Sequence, residues 1–130
     1  MSGPGPSKTR SMPSDSPITA LYDIRDCIIY AGQFVQGMSF ETFKDDVKTF
    51  FAATRALEII SEAARRLPAE LRNRHPDLPW RAIMGSGNVY RHNYDNVVHQ
   101  FVWSTIHDDL PPLAEVISEE IRIAETKPGS

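Results

Sequence analysis

One stretch decides the fold of this chain: DVKTFFAATRALEIISEAARRL, residues 46–67. Asp46 is a typical N-cap residue and Pro68 directly follows the stretch, so both ends of one helix are marked. Between them, apolar residues recur at steps of three and four: Phe50, Ala53, Leu57, Ile60, Ala64 and Leu67. This spacing places them on one face of an α-helix, which predicts a long amphipathic helix with that face in a core.

The helical period continues on the N-terminal side of this stretch. Ser16 and Pro17 read as an N-cap followed by proline at the first helical position. Gly37 is a plausible stop for that helix. A short second helix is expected over residues 40–44, with Ser39 as its cap.

The C-terminal side is helical by the same criterion. A short turn of helix is expected between Pro68 and Leu71, and a later helix is expected to bury one apolar series: Val97, Phe101, Val102, Ile106 and Leu110. Pro111 and Pro112 should kink or restart that helix. No strand hairpin or internal repeat is recognisable, so the sequence predicts an all-α bundle of five to six helices.

Length and composition fit one globular domain. The chain has 130 residues, of which 41% are hydrophobic, and its termini are polar and rich in Pro, Ser or Gly. We expect a disordered tail over 1–15, a helical domain over 16–125 and a second disordered tail over 126–130.

The overall charge excludes one class of function. A formal net charge of -3 is untypical of a protein that binds nucleic acid indiscriminately. All four histidines and several arginines fall in the second half of the chain, which leaves open a locally basic site or ordinary surface charge. On the long helix, Glu58 and Glu62 are within reach of Arg55 and Arg66, so either surface ion pairs or a charged cleft is possible.

The compartment is predicted from what the sequence contains. Cys27 is the single cysteine and lies in an apolar run, so it should be a core residue with no internal disulfide partner. The N-terminus has no apolar signal core, and no segment is long and apolar enough for a membrane span. These features predict a cytoplasmic protein without a membrane contact.

The candidate site is the segment NVYRHNY, residues 88–94, which follows LPWRAIMG, residues 78–85. His92 can take and give protons near neutral pH, and Tyr94 lies two residues after it. A single histidine near a helix end is also common as a structural residue, so the pair alone is a weak signal.

Four segments in order strengthen the case: LEIISEAARRLP (57–68), LPWRAIMG (78–85), HNY (92–94) and VWSTIHDDLP (102–111). Together they resemble the HepT-like family of the HEPN superfamily, over about residues 21–123. The resemblance implies a HEPN-type helical-bundle homodimer. It also implies a metal-independent endoribonuclease that acts as the toxin of a toxin–antitoxin pair and needs no cofactor. A nucleotidyltransferase antitoxin would neutralise it by attaching AMP to the motif tyrosine.

The family motif is Arg, four residues, His, any residue and Tyr, usually with Asn directly after the Arg. In this chain His92, Tyr94 and Asn88 take the His, Tyr and Asn places, so Tyr94 is the expected AMP acceptor. Gly87 stands at the Arg place, and Arg91 is the nearest arginine in the motif. The expected catalytic residues are therefore His92, Arg91 and Asn88, with RNA as the substrate.

The glycine at position 87 bears on activity. Cleavage without a metal needs a base for the ribose 2′-hydroxyl and a cation for the charge that develops on phosphorus, and a guanidinium suits the second task. Three alternatives stay open: a ribonuclease in which Arg91, Arg81 or a dimer mate's arginine substitutes; a catalytically degenerate homodimer that binds a nucleotidyltransferase or RNA; and a scaffold. If the Arg place is simply vacant, Gly87→Arg should raise cleavage. Two glycines, Gly85 and Gly87, also predict a loose segment.

Overall fold

The computed structural model describes residues 17–91 and 96–126, apart from the side chains of 89–91. The described residues are helical with no strand, which confirms the predicted all-α bundle. The elements in chain order are α1 Pro17–Phe34, α2 Phe40–Asp45, α3 Val47–Arg66, α4 Ala69–Asn73, α5 Trp80–Gly85, a 3-10 helix Ser86–Arg91, α6 Asn96–Ser104, a π-helical turn Thr105–Asp109 and α7 Leu110–Thr126. Ser16 and both predicted tails, except Thr126, lie outside the described residues.

Helix α3 is the central element, as its sequence predicts. The whole predicted stripe is buried, from Phe50 through Leu67. Asp46 is the N-cap, and its carboxylate accepts a hydrogen bond of 3.0 Å from the backbone N–H of Thr49. This bond lowers the pKa of Asp46, because it stabilises the ionised carboxylate. The burial of one face and the capped end together explain why α3 organises the other helices.

Helix α1 packs along α3 and supplies the second wall of the core. Its buried face includes Leu21, Ile24 and Cys27. Burial raises the pKa of the Cys27 thiol, as expected for a core residue that stays protonated. Gly37 has a φ of 78°, which confirms it as the stop after α1. The predicted cap of α2 is also confirmed, because Ser39 and Thr42 form a reciprocal capping box.

The face that α6 buries differs from the prediction at Val97 and Phe101, while the predicted Val102 is buried. Val97 is 73% exposed and Phe101 is 37% exposed, whereas Val98 and Val102 lie in the core. The residues of each pair, Val97 with Phe101 and Val98 with Val102, are four positions apart, so periodicity alone could not choose between two adjacent apolar faces.

The predicted restart at the prolines is confirmed: the π-helical turn precedes Pro111 and Pro112, which lie in the first turn of α7.

None of the helices described for residues 17–91 and 96–126 has the length and apolar content that crossing a membrane requires.

Candidate active site between α3 and the 3-10 helix

The motif segment is partly placed by the structure. Asn88 lies exposed in the 3-10 helix, where it lines a groove against α3. The backbone of Arg91 ends the 3-10 helix, but its side chain is outside the described part of the chain, as are His92 and Tyr94. Among the expected site residues, Asn88 is the one whose side chain the structure describes. The residues around Asn88 are therefore taken as the candidate site.

The groove is a cavity of about 240 Å³ with a strongly charged lining. Arg55 binds Glu58 across 2.9 Å, and Arg65 binds Glu62 across 2.8 Å. Both open alternatives for these charges hold, since the residues form ion pairs and also line a cleft. The hydrogen bond from Arg65 lowers the pKa of Glu62. The full lining is Arg55, Glu58, Ile59, Ser61, Glu62, Arg65, Arg66, Gly87 and Asn88.

Arg66 departs from the expected pairing along the helix. Its guanidinium binds Asp23 of α1 across 3.0 Å instead of reaching a glutamate on α3. Within the described part of the chain, its Nε is a buried donor without a hydrogen-bond partner. A buried donor without a partner is costly in a folded protein, and this one is closed to solvent, so an acceptor in the groove reaches it only if the Arg66 side chain moves.

Gly87 is buried and held in place. Its backbone N–H donates to the Ser61 hydroxyl across 2.8 Å. A Cβ at this position would lie 2.8 Å from the Glu58 Cα, closer than such atoms approach in proteins. The φ of Gly87 is not positive, so glycine is required here for space and not for backbone freedom.

Two expectations about Gly87 are therefore wrong. The segment is not loose at this residue, because the glycine permits a close contact with α3. The Arg place is also not simply vacant, because any side chain at position 87 would meet the backbone of α3. Gly87→Arg cannot restore the family arrangement unless the 3-10 helix and α3 move apart.

A buried pair of serines completes this contact, and sequence reasoning missed it. The Ser61 hydroxyl donates to the carbonyl of Ile83 across 2.9 Å and lies 3.0 Å from the Ser86 hydroxyl. The Ser86 hydroxyl is also 2.9 Å from the same Ile83 carbonyl. The available signal was a serine within the apolar face of α3, one helical turn after Leu57, because a buried hydroxyl needs a partner.

The basic residues Arg74 and His75, which precede the motif, contact a carboxylate on α7 instead of lining the groove. Arg74 and His75 contact the buried carboxylate of Glu120 across 2.8 Å and 2.6 Å. Burial raises the pKa of Glu120, but the hydrogen bonds from Arg74 and His75 outweigh it, and the net pKa is lowered. Arg74 and Glu120 line a separate cavity of about 580 Å³. These two residues do not line the groove, and Arg81 lies exposed on α5.

No group of three His, Cys, Asp or Glu side chains suited to a metal ion is formed by the residues that the structure describes. Glu58 and Glu62, the two acidic residues of the groove, are paired with arginines.

The family is decided by the comparison with known proteins. The model of the family described as ribonuclease HepT-like matches residues 24–120, which include α3, the 3-10 helix and most of α7. The chain belongs to the HepT-like ribonuclease family. This confirms the resemblance seen in the sequence.

Relatives of this HepT-like chain carry names of the same kind. A protein of Thermococcus cleftensis named "Probable ribonuclease HepT" is 38% identical over 93 residues, which cover 72% of this chain and 84% of the relative. A protein of Caldanaerobacter subterraneus subsp. tengcongensis, provisionally named an RNase, is 39% identical over 85 residues, or 65% of this chain and 76% of the relative. No solved structure matches the HepT-like chain.

Proposed function

We propose that this protein is a metal-independent endoribonuclease, the toxin of a toxin–antitoxin pair in the cytoplasm. The observation that carries the proposal is the position of Asn88, which shares a groove with three arginines of α3 in a chain of the HepT-like family. Arginine is the side chain best suited to contact RNA phosphates, because its planar fork meets two phosphate oxygens. The groove thus places guanidinium groups, each bound to a carboxylate, beside Asn88, and the base that cleavage also needs is proposed to be His92.

The proposed reaction assigns the proton transfers to His92. Its neutral imidazole removes the proton of a ribose 2′-hydroxyl, and that oxygen forms a bond to the adjacent phosphorus. The bond from phosphorus to the 5′-oxygen breaks, and the imidazolium returns a proton to that leaving oxygen. The products are a 2′,3′-cyclic phosphate and a 5′-hydroxyl, so atoms and charge balance without a metal or an external oxidant.

Cleavage of a labelled RNA in EDTA tests this mechanism. We expect cyclic phosphate ends, and we expect His92→Ala to abolish them, because no other proposed group removes the 2′ proton. His107→Ala is the matched control, since His107 is exposed and its ring nitrogen contacts the Trp103 carbonyl. Products with 3′-hydroxyl ends, or loss of activity in EDTA, would contradict the mechanism.

The cation of the site is proposed to be an arginine other than residue 87. Arg66 lines the groove, and Arg91 is the nearest arginine in the motif. Removing a preorganised donor of this kind costs about a hundred- to a thousandfold in rate. Either Arg66→Met or Arg91→Met should show that loss, whereas Arg122→Met, which removes an arginine of a surface ion pair on α7, should not. Normal rates in both single variants and in the double variant would exclude this assignment.

We also propose that the protein works as a homodimer. Val47 and Phe51 on α3 and Val97 on α6 are large apolar side chains that are more than half exposed. The two helices meet at this end of the bundle, because the rings of Phe50 and His99 are 4.2 Å apart. Association would remove this apolar surface from water.

Light scattering of single variants tests the dimer. Phe51→Glu should yield a folded monomer at micromolar concentration, since it places a charge in the proposed interface. Ile123→Glu is the control, because Ile123 is also exposed, at 40%, but lies on α7. A wild-type protein that is monomeric at this concentration would refute the proposal.

The proposed partner is a nucleotidyltransferase antitoxin that attaches AMP to Tyr94. A bulky anion next to His92 would block RNA by volume and by charge repulsion. Incubation with the nucleotidyltransferase encoded beside this protein, ATP and magnesium should add AMP, seen by mass. Tyr94→Phe should prevent the addition and Tyr30→Phe, which changes an exposed tyrosine of α1, should not. Equal modification of Tyr94→Phe would move the acceptor elsewhere.

The second candidate is a catalytically degenerate homodimer that binds the nucleotidyltransferase or RNA. The observation in its favour is the closed position at Gly87, where a side chain would meet the α3 backbone unless the two segments moved apart. Under this alternative, the wild-type protein binds labelled RNA or the nucleotidyltransferase but yields no cyclic phosphate ends. Cleavage that depends on His92 would reject it.

A further inference from the structure

We infer that Ser61 is a positioning residue, whose buried hydroxyl fixes the 3-10 helix on α3 and so places Asn88 in the groove. The inference rests on the proposed ribonuclease function for its consequence in catalysis. Ser61 is on α3, and three of its hydrogen-bonding contacts lie 22 to 26 residues further along the chain. It therefore joins α3 to a segment that is distant from it in the sequence.

The Ser61 hydroxyl both donates and accepts hydrogen bonds in the contact with residues 83–87. A hydroxyl donates once and accepts twice. Ser61 donates to the Ile83 carbonyl and accepts from the Gly87 N–H, while the Ser86 hydroxyl lies 3.0 Å away and donates its single proton to the same Ile83 carbonyl. Only 1% of Ser61 is exposed, so water has little access to replace any of these partners.

Close packing holds the 3-10 helix against α3 at Gly87. The Gly87 N–H is drawn to Ser61, while the missing Cβ lets the Gly87 backbone approach the Glu58 Cα. At the surface, Arg65 also donates to the carbonyl of Met84, at the end of α5. Because Asn88 directly follows Gly87, the buried contact sets where the Asn88 side chain begins.

Loss of the hydroxyl should therefore affect the reaction more than the affinity for RNA. In Ser61→Ala the Gly87 N–H keeps its buried position without a partner, or the 3-10 helix shifts to find one. A displacement of about 1 Å in a positioned group can cost on the order of a hundredfold in rate. The charged groups of the groove stay in place, so RNA binding should change little.

Amide hydrogen exchange tests the contact without any use of activity. In the wild-type protein, the Gly87 amide should be protected like the amides in the core of α3. In Ser61→Ala it should exchange about tenfold faster or more, because its acceptor is gone. The matched control is Thr54→Val, which removes a buried hydroxyl that donates to Phe51 within α3 and leaves the Gly87 exchange unchanged.

RNA cleavage by the same variants tests the positioning role. We expect kcat of Ser61→Ala to fall by about ten- to a hundredfold with KM within about threefold, and Thr54→Val to keep both. If Ser61→Ala does not fold, Ser61→Cys retains a weaker donor and acceptor and should show a smaller loss of the same kind.

The outcomes separate the two proposals. An unprotected Gly87 amide in the wild-type protein, or a kcat of Ser61→Ala equal to that of Thr54→Val, overturns the inference. If the wild-type protein cleaves no RNA, the ribonuclease proposal fails. The exchange of Gly87 in the variants then still decides whether Ser61 fixes the 3-10 helix.

Discussion

The substitution Gly87→Ala measures how tightly the 3-10 helix is packed on α3. The added Cβ would lie 2.8 Å from the Glu58 Cα and 3.1 Å from the Ser61 Oγ, so a backbone segment must move. Overpacking of this kind costs about 1–3 kcal/mol, and stretching the hydrogen bond from Gly87 to Ser61 adds about 1 kcal/mol. We expect a free energy of unfolding that is lower by about 2–4 kcal/mol and a Tm that is lower by roughly 10 °C or more.

Urea and thermal unfolding followed by circular dichroism provide the measurement. Gly85→Ala is the matched control, because nothing lies within 4 Å of the Cβ that it adds at the end of α5. That change should be neutral or stabilise by up to about 1 kcal/mol, since alanine favours the helix over glycine. Equal stabilities of the two variants would refute the close contact. Gly87→Arg should be at least as destabilising as Gly87→Ala and should not increase cleavage.

Two further predictions concern carboxylates. Glu120→Gln should lower stability at neutral pH by about 1–3 kcal/mol, because the Arg74 guanidinium loses its charged partner and His75 loses a carboxylate contact. The pKa of Glu120 is lowered in the folded protein, so its stabilisation is present above the unfolded pKa of about 4.3 and is lost as pH falls through the folded value. Denaturant unfolding at several pH values should therefore show a weaker acid dependence in Glu120→Gln, and an unchanged one would exclude this role. Asp46→Ala should lower the Tm by removing the N-cap of α3, whereas Asp45→Ala, at the exposed end of α2, should have a smaller effect. Equal Tm values for these two variants would contradict the cap.

The helices were predictable where a single apolar face and a cap agree. Helix α3 has both, with Asp46 at its start and one continuous stripe, and the structure confirms them. Helix α6 has two apolar faces one residue apart, and the choice between Val97 and Val98 depends on the neighbouring helices. Periodicity is a local property, so it cannot supply that information.

The groove was less predictable than the residues that border it. The motif identified Asn88, but the arginines opposite it come from α3, more than 20 residues earlier in the chain. Their meeting depends on the short distance between α3 and Gly87. A glycine in a sequence can signal either a freely rotating backbone or a close contact, and the neighbouring helix decides which. The buried serines, Ser61 and Ser86, become meaningful for the same reason only after the helices are packed.

The π-helical turn has a consequence for the phase of the C-terminal helices. Buried residues recur every four positions through this region, at Val98, Val102, Ile106 and Leu110, whereas a regular α-helix completes a turn in about 3.6 residues. A regular helix would rotate this series steadily away from the core. The turn is wider, since the Leu110 N–H bonds to the carbonyl of Thr105, five residues back, and it corrects the accumulated rotation. The chain can therefore admit two consecutive prolines and still present one uninterrupted apolar face from α6 into α7.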